Sequence, residues 1–362
     1  MNNKLSKIYF DPYLFFSICL LAIFGLFFLY SASNADLSIV IKQAAYIFLG
    51  LVIMMVVSQP DPDIFRRTSF AFLCFAVLLL GVTALIGPEI NGAQRWVRIG
   101  PISFQSSEIL KLALPIYLAN FLCDKKLPIQ TREIGITVLI ILTAFFLVAR
   151  QPDLGTGLIV ALSGMFVLFL SGLSWSFIGG SFVLVIISSP LIWNILLKPF
   201  QQQRIATLFN PESDPFGAGW NIIQSKIAIG SGGIFGKGFG QGSQTQLNFL
   251  PETKTDFIFS VIGEEFGFVG VFLLLGLYFF ILMRCLYLAL SARDRFCRLV
   301  IGGLTLTFAA NLVINLCMVV GLLPVVGMPL PFISKGGSSL ISLFFAFGII
   351  TSMATHKKFL PQ

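Results

Sequence analysis

The chain has 362 residues, of which 56% are apolar and 11% charged, with 39 Phe and a formal net charge of +8. A soluble domain of this size cannot bury so much apolar side chain, so the excess faces lipid. The Lys and Arg are dispersed between apolar runs instead of clustering with aromatics on one face, which argues against a nucleic-acid binder, and six isolated cysteines with the single His356 leave no zinc site.

Apolar runs of about 15 to 22 residues recur along the chain, and about 20 such residues cross a bilayer core. Spans are predicted at Pro12 to Tyr30, Leu37 to Val57, Thr68 to Ile86, Ile109 to Cys123, Ile134 to Ala149, Leu158 to Gly172, Phe177 to Leu197, Phe257 to Leu290 with an interrupted start, Leu299 to Val320, and Ser338 to Met353. The expected fold is all-α, a polytopic integral membrane protein of about ten transmembrane helices. It is read as a single domain over 1–362, with a long extracytoplasmic loop at 198–256 between spans seven and eight.

The first run, preceded by Lys4 and Lys7 and followed by small residues, also reads as a secretory signal peptide. Parity favours an uncleaved span: an even count places both termini on one side, where Lys4, Lys7, Lys357 and Lys358 favour the cytoplasm. The same count puts Arg66, Arg67, Lys125, Lys126, Arg132, Arg293, Arg295 and Arg298 inside. The turn at Gly172 to Ser176 carries no positive charge, and a re-entrant pair there stays open. Within the long loop, the apolar stretch Trp220 to Ile229 is expected to dip into the membrane or lie in its interface.

Ionisable groups at membrane depth are costly and are functional candidates by default. Glu108 and Lys111, three apart at the outer start of the fourth span, share a helical face and can pair, either for packing or for function. Asp153, in Arg150-Gln-Pro-Asp153, is either a helix cap or a cavity carboxylate. Arg204 precedes the Pro- and Gly-punctuated segment Asn210 to Gly219 and is either a solvated loop cation or a clamp for phosphate oxygens. The glycine-rich segment Gly230 to Gly242 fails as a nucleotide loop, because Ser231 and Gly238 stand where the pattern needs Gly and Ser or Thr. Asp256 lies where the long loop meets the eighth span, and reads either as a helix cap or as a carboxylate placed for a substrate with a polar head and a lipid tail.

Taken together, Asn210-Pro-Glu-Ser-Asp-Pro, Gly217-Ala-Gly-Trp, Ile223-Gln-Ser-Lys-Ile-Ala-Ile-Gly-Ser-Gly-Gly, Phe249-Leu-Pro-Glu-Thr-Lys-Thr-Asp-Phe-Ile-Phe and Pro329-Leu-Pro-Phe-Ile-Ser-Lys-Gly-Gly-Ser-Ser resemble the signatures of the shape, elongation, division and sporulation (SEDS) family, nearly end to end. Gly321-Leu-Leu-Pro-Val-Val-Gly327 resembles its rod-shape branch. Two residues depart from the family pattern: Lys254 stands where His is usual and Lys335 where Tyr is usual.

The resemblance implies a peptidoglycan glycosyltransferase of the bacterial inner membrane, with lipid II as acceptor and glycan on undecaprenyl pyrophosphate as donor. It further implies Asp256 as the catalytic residue, and Glu108, Lys111, Asp153, Arg204 and Gln224 as residues of a substrate-binding cavity. A divalent cation (Mg or Mn), no organic cofactor, a class B penicillin-binding protein partner and other elongation-complex membrane proteins are implied in the same way. A flippase for lipid-linked precursors and a noncatalytic scaffold are the competing readings.

Overall fold

The computed structural model describes residues 9–89, 94–99, 102–191, 193–194, 197–214, 217–247, 249, 252–292 and 294–356. The terminal lysines Lys4, Lys7, Lys357 and Lys358, and Arg293, lie outside the described residues. Helices α1 (Pro12–Ala32), α2 (Leu37–Val57), α3 (Pro62–Ile86), α4 (Ser106–Cys123), α5 (Thr131–Ala149), α6 (Leu154–Leu170) and α7 (Trp175–Leu191) run before the long loop, and α11 (Ile258–Ser291), α12 (Arg295–Val319) and α13 (Ser338–Thr355) run after it. Among the described residues, seven of these are long and apolar enough to cross a membrane. The other three are α4, with Glu108 and Lys111 in its first turns, and α6 and α7, each of 17 residues.

Faces that a soluble protein would hide are open, with Phe48 72% and Phe272 65% exposed. They need lipid, and the chain is an integral membrane protein. α1 and α2, capped by Asp11 and Asp36, start where the sequence reading put them, while two other capped helices start earlier than their apolar runs. α3 begins at Pro62, capped by Asp61, and α6 begins at Leu154, capped by Asp153. Propensity and capping extend a helix past the point where hydropathy fades. α6 and α7 are separate helices joined through a turn at Gly172.

The connection after α3 contains a hairpin absent from the sequence reading, β1 (Trp96–Ile99) paired antiparallel with β2 (Ile102–Gln105), Ile99 opposite Ile102. The long loop is also structured, with α8 (Pro199–Phe209), a 3-10 turn at Pro211–Ser213, α9 (Ala218–Ser231) and the single turn α10 (Ser243–Gln246). The stretch Trp220 to Ile229, expected to dip into the membrane or lie in its interface, forms most of α9, a helix with one buried side and with Ile227 45% exposed. α9 packs against α11 and α12, with Ile222 and Ser225 fully buried and the Ser225 hydroxyl donating to Val319 O at 2.6 Å.

Alternation of the spans brings the starts of α4, α6, α11 and α13 to one end of the bundle, together with the hairpin and the long loop. The opposite end is tied by charge pairs: Arg66 to Asp124 at 2.7 Å, Arg284 to Asp11 at 2.6 Å, and Arg295 donating to Lys125 O at 2.6 Å.

Candidate active site

A cavity of about 340 Å³ opens at the end of the bundle where those four helices begin. Five residues singled out in the sequence, Glu108, Lys111, Asp153, Arg204 and Asp256, line it together. α4 presents the first two. Lys111 Nζ lies 2.7 Å from Glu108 Oε2, both side chains are less than a tenth exposed, and the Ser342 hydroxyl of α13 donates to the same carboxylate at 2.5 Å. A buried pair held this closely is costly to break from either side.

Asp153 fulfils both readings left open for it. It caps α6, accepting from Thr156 N at 3.2 Å, and its other oxygen faces the cavity, accepting from Gln105 Nε2 at 2.8 Å with Arg95 Nη1 at 3.8 Å. Asp256 does not cap. The cap position of α11 is Phe257, and it makes no side-chain cap bond. The Asp256 carboxylate accepts no hydrogen bond from the described residues. Burial pushes its pKa up from 3.8 to about 6, with the nearby Glu252 charge adding to the shift and Arg204 opposing it. A carboxylate in that state is suited to taking and returning a proton near neutral pH.

Arg204 reaches the cavity from α8 and donates from Nη1 to Val325 O at 3.0 Å. Gln224 is not brought to the cavity. It is buried on α9, 8% exposed, next to Ser225, which binds α9 to Ser260 and Val319. The helix packing that buries this region holds Gln224 outside the lining.

The structure adds residues that charge-based reading missed. Arg95 leaves the hairpin to donate to Gln151 O at 3.1 Å and to Pro152 O, fixing the turn that carries Asp153. Its signal was the pair of short β-forming stretches on either side of Gly100-Pro101. Asn315, fully buried in α12, donates to Asp256 O at 2.9 Å and Met328 O at 2.6 Å. Its signal was Asn311 and Asn315, four apart on one face of an apolar span. The segment after α12 closes the cavity beneath Asp256. Ser334 Oγ donates to Thr255 O at 2.5 Å and Lys335 N to Lys254 O at 2.8 Å.

The glycine-rich segment has a structural use. α11 breaks at Gly267 (φ 61), which frees backbone groups on both sides of the kink. Gly233 O and Ile234 O accept from Phe268 N and Val269 N, while Lys237 N and Gly238 N donate to Glu264 O and Glu265 O. A Cβ at Gly236 (φ 79) would stand 2.1 Å from Glu265 O, so only glycine permits this approach. Lys237 Nζ completes the junction, 2.7 Å from the buried Glu264 carboxylate.

Among the described residues no three His, Cys, Asp or Glu side chains converge as a metal cage. Within the cavity, Glu108 and Asp153 are already engaged by Lys111 and Arg95. Asp256 is the lining carboxylate left without such a partner, so the described residues supply a single free carboxylate there and not a cage.

Residues 12–359 match the model of the FtsW/RodA/SpoVE cell cycle protein family. The chain is 45% identical to the peptidoglycan glycosyltransferase MrdB of Escherichia coli K12 over 99% of its own length and 96% of the relative's, and 35% identical to stage V sporulation protein E of Bacillus subtilis over 88% and 87%. Among solved structures, a peptidoglycan synthase complex that coordinates polymerization and crosslinking contains a chain matching with TM-score 0.84 at 31% identity, covering 95% of this chain and 97% of that one. The rod shape determining protein RodA of Thermus thermophilus matches with TM-score 0.73 at 29% identity, covering 99% and 100%. With a matched model spanning the whole helical bundle, and relatives aligned along nearly their full lengths, this chain belongs to the FtsW/RodA/SpoVE family.

Proposed function

We infer that this chain is a peptidoglycan glycosyltransferase that polymerises lipid II into glycan strands during cell elongation and rod-shape maintenance. The observation that carries the reading is Asp256: a carboxylate with no hydrogen bond from the described residues and a raised pKa, in a cation-lined cavity at one end of a membrane bundle. The names borne by the relatives support it. Substrates with long isoprenoid tails keep those tails in lipid while their sugars and phosphates enter such a cavity.

In the reaction proposed here, the acceptor sugar's 4-hydroxyl oxygen attacks the donor's anomeric carbon. The new C–O bond forms as the bond to undecaprenyl pyrophosphate breaks, and the leaving group departs with the electron pair from the opposite face, inverting the centre. Asp256 accepts the hydroxyl proton, a contribution of about a hundred- to ten-thousand-fold in rate. Lys111 and Arg204 add positive potential toward the departing pyrophosphate, where negative charge gathers, in a partly dry site in which fixed charges act more strongly than in bulk water. Arg95 and Asp153 hold the wall between α5 and α6. The divalent ion implied by the family, Mg or Mn, would supply further charge neutralisation for the leaving pyrophosphate if it entered with the substrate.

We place the chain in the bacterial inner membrane, with both termini cytoplasmic and the Asp256 end outward. The opposite end carries Arg66, Arg67, Lys125, Lys126, Arg132, Arg295 and Arg298, the excess of cations expected of a cytoplasmic face. A class B penicillin-binding protein is the proposed partner, in keeping with the synthase complex among the structural relatives.

The test is glycan formation from purified lipid II in the presence of moenomycin, with and without the partner, comparing wild type with Asp256→Asn. Moenomycin-resistant polymer from wild type alone is expected. Lipid II translocation retained by Asp256→Asn, with no polymer from either form, would replace the transferase by a flippase.

A further inference from the structure

We infer that Lys335 and the start of α13, Gly336-Gly337-Ser338-Ser339, form the cradle for the diphosphate of an isoprenyl diphosphate substrate, in the cavity that Asp256 also lines. The identity of the ligand rests on the glycosyltransferase reading; the site rests on the distribution of charge and hydrogen bonds around the cavity.

The cations lining the cavity are not equivalent. Lys111 is held by Glu108, Arg95 by Asp153 and two backbone carbonyls, and Arg204 by Val325 O with the Asp256 charge nearby. Lys335 lines the same cavity, and among the described residues no carboxylate pairs with its exposed ammonium. A cation already neutralised by a buried carboxylate gains little from an incoming phosphate, whereas an uncompensated one gains a new charge-assisted bond.

The helix N-termini at the cavity differ in the same sense. α4 has Glu108 in its first turn and α6 is capped by Asp153, so a carboxylate offsets the positive end of each dipole, and α11, which has no acid in its first turn and no side-chain cap, directly follows Asp256-Phe257. α13, 18 residues long, has no acid in its first turn and no side-chain cap at Gly337. Ser338 is 4% exposed and lines the cavity, and its hydroxyl has no hydrogen-bond partner among the described residues; Ser339, also on the lining, likewise has none. The Ser339 hydroxyl lies over Gly336, where a Cβ would stand 2.4 Å from Oγ, so a side chain there would fill the cradle. Two unpartnered hydroxyls, an uncompensated helix N-terminus and an unpaired ammonium together suit a doubly charged phosphate group.

The cradle is held in place before any ligand arrives. Gln43, buried on α2, donates to Ser334 O at 3.0 Å and accepts from Gly336 N at 3.2 Å. Lys335 N bonds to Lys254 O, and Ser334 Oγ to Thr255 O, tying the segment to the two residues that precede Asp256. This fixes the spacing between the leaving group and the proposed base.

Binding of farnesyl diphosphate, farnesol and inorganic pyrophosphate to the detergent-purified full chain tests the inference, with wild type, Lys335→Gln, Lys335→Arg, the Ser338→Ala/Ser339→Ala double variant and Asp256→Asn. Farnesyl diphosphate affinity is expected to fall about tenfold in Lys335→Gln, recover in Lys335→Arg and fall several-fold in the serine double variant, with farnesol unchanged throughout. Asp256→Asn should bind at least as tightly as wild type. Unchanged farnesyl diphosphate binding in both Lys335→Gln and the serine variant, each shown to be folded by its thermal midpoint, overturns the cradle. Equal losses for farnesol and farnesyl diphosphate also overturn it. Should Lys335→Gln not fold, the serine variant against Lys335→Arg decides the question. A chain that binds the diphosphate through Lys335 yet makes no polymer from lipid II loses the transferase reading and keeps the cradle. One that polymerises in the Lys335→Gln form with wild-type KM and wild-type diphosphate affinity keeps the transferase and loses the cradle.

Discussion

Asn315 and Asp256 are joined by a hydrogen bond of 2.9 Å from the Asn315 amide to the Asp256 carbonyl, and the same nitrogen bonds Met328 O at 2.6 Å in the segment after α12. One fully buried side chain on α12 therefore sets the distance between the proposed base and that segment. Asn315→Ala leaves two carbonyls without this donor and is expected to cost about 2–3 kcal/mol of stability. Its polymerisation kcat should fall more than KM rises, because positioning of the base is lost while the substrate contacts remain. Steady-state kinetics on lipid II, with a thermal unfolding midpoint from the same preparation, check both.

Asp256→Asn should abolish polymerisation and stabilise the protein. The carboxylate's pKa is raised in the folded chain from 3.8 to about 6, so the folded state favours its protonated form. The relative stability this confers is fully present below pH 3.8 and is lost as pH rises through 6. At pH 7.5 the ionised group costs about 3 kcal/mol, which asparagine removes. Unfolding of both forms in detergent, followed by tryptophan fluorescence, should show a higher midpoint for Asp256→Asn at pH 7.5 and convergence near pH 4. A lower midpoint at pH 7.5 would mean that the carboxylate is structural.

The same shift sets the pH dependence of the reaction. A base must be ionised to accept the hydroxyl proton, so kcat/KM is expected to rise tenfold per unit below about pH 6 and to level off above about pH 7. A profile flat from pH 5 to 8 would remove Asp256 from the proton transfer.

Glu108 and Lys111 offer a way to separate stability from activity. Glu108→Gln leaves the Lys111 ammonium buried without its counter-charge and should cost about 3–5 kcal/mol. Adding Lys111→Met removes the stranded charge and should restore most of that stability. If the pair serves the reaction, the double variant folds but polymerises poorly. Wild-type polymerisation by the double variant would make the pair a packing device.

Gly236→Ala places a methyl group on Glu265 O at a backbone angle that favours glycine. The docking of the glycine-rich segment into the kink of α11 should weaken by about 2 kcal/mol or more. Gly230→Ala, with open space around the new carbon, should change little. Protease sensitivity of the 230–242 segment in the two variants reads this difference directly.

Hydropathy alone determined the all-α membrane fold and the approximate positions of its spans, because crossing a bilayer core requires long unbroken apolar runs whatever lies beside them. The costly charged groups of the cavity end were legible for a related reason: Glu108, Lys111, Asp153, Arg204 and Asp256 stand out against apolar neighbours, and the structure brings all five to one cavity. Local sequence did not decide which carboxylates cap helices. Asp153 and Asp256 both precede a helix, yet the former caps its helix through Thr156 N, while the latter makes no cap and lines the cavity. Nor did it reveal Asn315, Arg95 or Gln43, since a neutral amide or a hairpin arginine gains its meaning from a partner far away in the chain. Gln224 was displaced for the converse reason, its helix being claimed by packing against α11 and α12. Composition and periodicity act over a few turns of chain, whereas hydrogen-bond satisfaction and charge compensation are settled only when distant segments fold against one another.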